Sequence, residues 1–177
     1  MYYPVLIVKY TKDQRYDENG IATHCGQTLP AVAADRLVEL QERANDYDVI
    51  GIDEGKFFPD VVDWCEEMAN RGKIVLVAAL DGTFQRRPFQ DILSLVPLAE
   101  EVTKLKAVCM ACFKDAAFRK RISEEAGLEV IGGADKYMAV CRQCYYSPIE
   151  LSAPPQLELE QRSLHEDISK EITAGAL

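Results

Sequence analysis

The 177-residue sequence has no run of about 18 apolar residues, the length a membrane-spanning helix requires. No membrane span is predicted. The opening "MYYPVLIVKY" has no basic lead, and its apolar stretch is too short for a secretory signal. That absence predicts a cytoplasmic location. Positive charge is also scarce: 20 lysines and arginines stand against 29 acids, a net charge of −9. This balance argues against a nucleic-acid backbone or an anionic membrane as partner. Small ligands and proteins stay open. No internal repeat occurs. The phosphate-cradle pattern G-x-x-x-x-G-K-[ST] is absent too. Gly55-Lys56 and Gly72-Lys73 are followed by Phe57 and Ile74, and neither pair has the spaced upstream glycine.

Apolar residues make up 48% of the chain, enough for one domain-sized core. Residues 4–10, 48–53 and 73–80 are apolar, β-branched runs without alternation, and each predicts a buried strand. Between them, helical spacing of Val32, Ala33, Leu37, Leu40 and Ala44 predicts a helix from Pro30 to about Asn45. A second helix is expected to start with Pro59 at its first position, to bury Val61, Val62, Trp64, Cys65 and Met68, and to end at Gly72. Residues 90–100 predict a short helix that Pro97 interrupts or ends. The polar residues 11–27 and 81–89 read as loops. Alternating strands and helices predict an α/β fold, a parallel sheet with helices on both faces. Three regions follow: an α/β core over 1–106, a small cysteine-stapled lobe over 107–148, and a polar tail over 149–177 with a weak helix near 158–172.

Four of the six cysteines form two C-x-x-C pairs, Cys109/Cys112 and Cys141/Cys144. In a reducing compartment this pattern reads as metal binding rather than disulfides. Four thiolates fill a tetrahedral zinc site, so the predicted zinc is structural and not catalytic. The simpler alternative is four ordinary buried cysteines. Cys25 and Cys65 stand outside the set and read as inert.

Asp53 and Glu54 follow the apolar run 49–52 directly. An acid at the end of a buried strand, in such a chain, resembles a Walker-B element. It can hold Mg²⁺ through water while its neighbour takes a proton from a nucleophile. A helix cap or a solvated turn is the plainer alternative.

Taken in order, "LIVKYTKDQRY", "VIGIDEGKFFPDVVDWCEEMANRGKIVLVAALDGTFQRRPF", "LVPLAEEVTKLKAVCMACF", "VIGGADKY" and "CRQCY" resemble the type II, zinc-containing cytosolic thymidine kinases. The resemblance runs from about Val5 to Tyr146. It implies a P-loop-kinase-like sheet with a zinc-ribbon-like lobe. It also implies transfer of the ATP γ-phosphoryl group to the 5′-hydroxyl of thymidine, giving dTMP as a DNA precursor. Glu54 would be the base, and Asp53 the Mg²⁺-linked acid. Asp13, Gln14 and Arg15, with Gly55 and Lys56, would face ATP and its Mg²⁺. Phe84 would line the thymine pocket, with Leu80, Phe57 and Phe89 completing its wall. Leu128, Glu129, Val130, Ile131 and Gly132 would form the loop that closes over the base, with Gly133 permitting close approach, and Tyr137 would pack on the nucleoside. Cys109, Cys112, Cys141 and Cys144 would bind zinc. A homo-oligomer, dimer or tetramer, is expected.

Three departures from the family pattern stand out. The first strand, the phosphate loop and the next helix are not found, so the chain reads as an N-terminally truncated member with little activity alone. The strand concerned is expected in mid-sheet, so its loss should expose edges and apolar surface. Lys56 stands where the family usually has glutamine. Arg119 stands where a threonine commonly lines the base pocket. A different class of reading is a non-catalytic nucleoside-binding or subunit-assembly protein derived from such a kinase.

Overall fold

The computed structural model describes residues 3–13, 20–22, 27–122 and 136–148. Residues Met1–Tyr145 form one compact unit, and Tyr146–Leu177 a second. The fold below is that of the first. Residues 149–177, with the expected tail helix, lie outside the described residues.

The strands are β1 (Val5–Tyr10), β2 (Gly20–Ala22), β3 (Thr28–Pro30), β4 (Val32–Ala34), β5 (Val49–Ile52) and β6 (Ile74–Val77), followed by four short ones in the lobe. The helices are α1 (Gln41–Ala44), α2 (Val61–Asn70), α3 (Gln90–Leu95) and α4 (Arg142–Tyr146). The main sheet has the order β4-β1-β5-β6, and every pairing in it is parallel. Val5 lies opposite Val49, which lies opposite Ile74, so the three expected strands are in register. The fold is thus α/β, a parallel sheet flanked by helices.

Strand geometry divides the apolar residues by parity. Leu6, Val8, Ile50 and Ile52 point to one face and pack with Phe58, Val61, Trp64 and Met68. On α2, Val61, Trp64, Cys65 and Met68 recur at helical spacing and are buried, while Val62 packs at their margin. Gly72, at φ 83°, ends that helix. Its N–H donates to Ala69 O at 2.8 Å, and the Lys73 N–H donates to Met68 O at 3.2 Å. This paired closure satisfies two terminal carbonyls and needs a left-handed residue, hence glycine. On the other face of the sheet Val5, Ile74 and Leu76 are exposed, and β6 forms an edge of the described sheet.

Several local expectations are corrected. The stretch from Pro30 to Asn45 is not one helix. It contains the end of β3, then β4, a 3-10 turn at Leu37–Leu40, and α1. The upper half of β1 offers an open ladder, and Val32–Ala34 takes it, Val8 opposite Val32. The helical part begins only at Leu37 because the Asp60 carboxylate accepts the N–H groups of Leu37 and Val38 at 3.1 and 3.0 Å. Pro59 precedes the cap residue Asp60 and is not the first helical residue. The loop expected over 11–27 includes β2, which pairs antiparallel with β3. The third strand, expected to be buried over 73–80, stops at Val77 and, as an edge strand, leaves Ile74 and Leu76 exposed; the helix expected over 90–100 ends at Leu95, with a 3-10 turn holding Pro97 beyond it.

Phe58 is fully buried in this core. Phe58→Ala is expected to lower stability by about 3–5 kcal/mol in urea unfolding. A loss below about 1 kcal/mol would contradict the packing described.

Candidate functional site

The acid pair sits at the carboxyl end of β5, where open α/β sheets bind ligands. The Asp53 N–H donates to Val8 O at 2.9 Å, which ties it to the end of β1. Glu54 then turns into the left-handed region, φ 51° and ψ 45°. Non-glycine residues are rare there, and such conformations cluster at functional sites. Gly55 is buried, and its N–H donates to Ala78 O at 3.0 Å. A Cβ on Gly55 would lie 2.5 Å from Val77 Cγ1, so the close approach itself requires glycine. Lys56 turns back and forms an ion pair with the Glu54 carboxylate. Its ammonium also lies 4.2 Å from the centre of the Phe57 ring, and Phe57 stacks on Tyr10 at 5.1 Å. Asp13 is buried just beyond β1, its N–H donating to Tyr10 O. Gln14 and Arg15 lie outside the described residues.

Phe84 and Tyr137 meet. Their ring centres are 6.4 Å apart, tilted by 46°. Phe84 belongs to the loop after β6, and Tyr137 opens β10 (Tyr137–Val140), which pairs antiparallel with β9 (Phe118–Arg121). Phe89 is buried and Leu80 is at the surface. The loop Leu128–Gly132 and Gly133 lie outside the described residues. Two residues of this junction were not singled out from the sequence for the contacts they make. Arg121 lies opposite Tyr137 in the ladder, donates Nη2 to Tyr137 Oη at 2.6 Å, and sits 4.0 Å over the Phe84 ring. Tyr145 donates its hydroxyl to Phe84 O at 2.8 Å, and Arg86 sits 4.6 Å over the Tyr145 ring. The alternation of arginine in "FRKR" was the available signal for Arg121: residues 119 and 121 share one strand face. Arg119 lies 4.7 Å over the Tyr137 ring.

The four paired cysteines converge. Their sulfur atoms all lie within 4.8 Å of one another, so the group could hold a metal ion. Cys109 and Cys112 occupy the turn between β7 (Ala107–Val108) and β8 (Asp115–Ala116). Cys141 follows β10, and Cys144 is on α4. The Sγ atoms of Cys112 and Cys141 are 3.7 Å apart. Metal–sulfur bonds of about 2.3 Å in a tetrahedron put sulfurs about 3.8 Å apart, so the spacing fits zinc. Burial pushes the Cys109 thiol up, but hydrogen bonds from the backbone of Cys141, Ala111 and Cys112 outweigh it and bring it to about 6. The backbone N–H of Cys144 lowers Cys141 against burial. Cys144 is pushed up to about 12 by hydrogen bonding with Cys112 and Cys141 and by burial.

Cys65 contrasts with that set. Burial, with the Asp60 charge, pushes its thiol up to about 12. At pH 8 the group is therefore almost wholly the thiol. Native protein at pH 8 is expected to leave Cys65 unmodified by iodoacetamide, read by mass spectrometry, and unfolded protein to modify it fully. Rapid native labelling would contradict its burial. At the acid turn, Gly55→Ala is expected to cost about 1–3 kcal/mol in denaturant unfolding, because Val77 must move. A neutral substitution would contradict the close contact.

A family model described as thymidine kinase matches residues 1–145. The thymidine kinase of Myxoma virus (strain Lausanne) is 56% identical over 144 residues, covering 81% of this chain and 80% of the viral one. That of Vaccinia virus (strain Western Reserve) is 56% identical over 143 residues, covering 81% and 80%. The cytosolic thymidine kinase of Gallus gallus is 54% identical over 160 residues, covering 90% and 70%. The match spans the acid turn, the Phe84–Tyr137 junction and all four paired cysteines, and the chain belongs to the thymidine kinase family.

Proposed function

We propose that the chain carries the nucleoside-phosphorylating site of a thymidine kinase, for transfer of the ATP γ-phosphoryl group to the 5′-hydroxyl of thymidine. The observation that carries this reading is the Asp53–Glu54 turn at the carboxyl end of β5, in a chain of this family. Glu54 accepts the hydroxyl proton. Asp53, a hard oxygen donor, suits Mg²⁺ and would hold it through water. Bound with ATP, that ion would neutralise charge on the transferring phosphoryl group. Gly55 and Lys56 complete the turn, and Asp13, Gln14 and Arg15 face the nucleotide.

Thymine presents one N–H donor and two carbonyl acceptors. Phe84 and Tyr137 give it an aromatic wall, and the backbone of Leu128, Glu129, Val130, Ile131 and Gly132 answers its polar edge. Zinc on Cys109, Cys112, Cys141 and Cys144 holds the lobe that carries Tyr137. The division proposed is a core over 1–106, the lobe over 107–148 and the tail over 149–177. A homo-oligomer, dimer or tetramer, and a cytoplasmic location complete the reading. The name of the Gallus gallus relative supports the location, and among the described residues no helix is long and apolar enough to cross a membrane.

These 177 residues contain no G-x-x-x-x-G-K-[ST] cradle. Phosphoryl transfer is almost wholly positioning and electrostatics, so this polypeptide alone turns over little. That same fact favours a second reading, a nucleoside-binding or subunit-assembly protein without catalysis. Two measurements on the purified chain test the proposal. Thymidine is expected to raise the melting temperature. Formation of dTMP from Mg²⁺-ATP and thymidine is expected to run at least about tenfold below that of a relative with the cradle. No response to thymidine would overturn the nucleoside site. Turnover near that of such a relative would overturn the need for the cradle.

A further inference from the structure

Lys56 is buried where a lysine is costly. Its side chain is only 5% exposed. A buried ammonium persists only when a charge and further contacts compensate it. The Glu54 carboxylate, 18% exposed, supplies the charge through the ion pair. The Phe57 ring, 4.2 Å away, supplies a cation–π face. Phe57 is itself stacked on Tyr10 with an interplanar angle of 21°, so this platform is fixed to β1. The left-handed Glu54 and the Gly55–Val77 contact set the turn that brings residues 54 and 56 to the same side. Each part of the turn therefore serves to seat the ammonium on the carboxylate.

We propose that Lys56 is a resident cation of the acid pair, and that its ammonium offsets the pull of the Glu54 carboxylate on a divalent metal ion held beside it at Asp53. The inference rests on the reading of Asp53 and Glu54 as the site acids. With Lys56 in place, one of the two carboxylates is already charge-compensated. A metal ion at the pair then gains less attraction from Glu54. Lys56 is thus a positioning residue: it holds the Glu54 carboxylate toward Phe57 and lowers the affinity of the pair for a hard cation.

Mn²⁺, a paramagnetic stand-in for Mg²⁺, gives a direct reading by electron paramagnetic resonance on the full chain, with neither nucleoside nor ATP present. Lys56→Met keeps the apolar stem on Phe57 and deletes the charge. It is expected to bind Mn²⁺ about tenfold more tightly than the parent, in line with the effect of one adjacent charge. Lys56→Arg keeps the charge and should match the parent. The gain should vanish when Glu54→Gln is combined with Lys56→Met. Equal affinity in parent and Lys56→Met, including no binding by either, would overturn the proposal. A second reading needs no metal and no substitution at Lys56. Acetylation of the parent, followed by mass spectrometry, should label Lys56 at least about tenfold more slowly than Lys104 and Lys106, whose side chains are 60% and 56% exposed. Labelling should accelerate in Glu54→Gln. Equal labelling of the three lysines would overturn the proposal as well. Neither measurement depends on kinase activity, so failure to phosphorylate thymidine would count against the proposed function and leave this test standing.

Discussion

Four sulfur atoms crowded within 4.8 Å are the constraint on which the lobe depends. Among the described residues of this region, Ala116 and Val140 join Cys109 in a small buried core. Strands as short as β7 and β8 do not hold together by ladder bonds alone. The Met110 N–H donates to Ala139 O, and the Tyr145 N–H to Cys141 O, so the β7–β8 turn, β10 and α4 all converge on the sulfurs. A cation that binds four thiolates contributes directly to folding in such small units. The consequence reaches the core. Tyr145 holds Phe84 through its carbonyl, and Arg121 bridges Phe84 and Tyr137. The aromatic junction proposed for the nucleoside is thus positioned by the metal-binding group from the lobe side.

The acid turn depends on a different kind of force. No metal-binding cluster is needed to shape it. The bond from Asp53 to Val8, the Gly55–Val77 contact and the Tyr10–Phe57 stack fix it against the sheet and its buried core. Three non-glycine residues among the described ones have positive φ: Glu54, Arg86 and Phe113. One lies in the acid turn, one in the loop of Phe84, and one in the first cysteine turn. Backbone strain of this kind costs about 1–3 kcal/mol per residue and persists where the surroundings over-determine it. The three positions fall at the acid turn, beside the Phe84–Tyr137 junction and beside the sulfur cluster.

Much of this architecture was legible in residues alone. Strands β1, β5 and β6 announce themselves as short, largely apolar runs, although β1 also buries Lys9 and β6 leaves Ile74 and Leu76 exposed. Helix α2 follows from its spacing of Val61, Trp64, Cys65 and Met68, and the sulfur cluster from its two C-x-x-C pairs. Residues 32–34 misled because their spacing is also helical, and the ladder offered by β1 outweighed local preference. The β2–β3 pair was hidden by polar sequence. Arg121 and Tyr145 were hidden because cross-strand register cannot be seen before the strands are paired. Lys56 was visible as an odd residue, but its inward turn depends on the conformation of Glu54.

The four cysteine sulfurs could hold one metal ion, and zinc there is proposed to organise the segment that carries Tyr137. X-ray absorption at the zinc edge of the purified chain tests it most directly. The account predicts one zinc per chain with four sulfur neighbours at about 2.3 Å. A chain that folds with its lobe intact and holds no metal, or a zinc shell containing nitrogen or oxygen ligands, would contradict it.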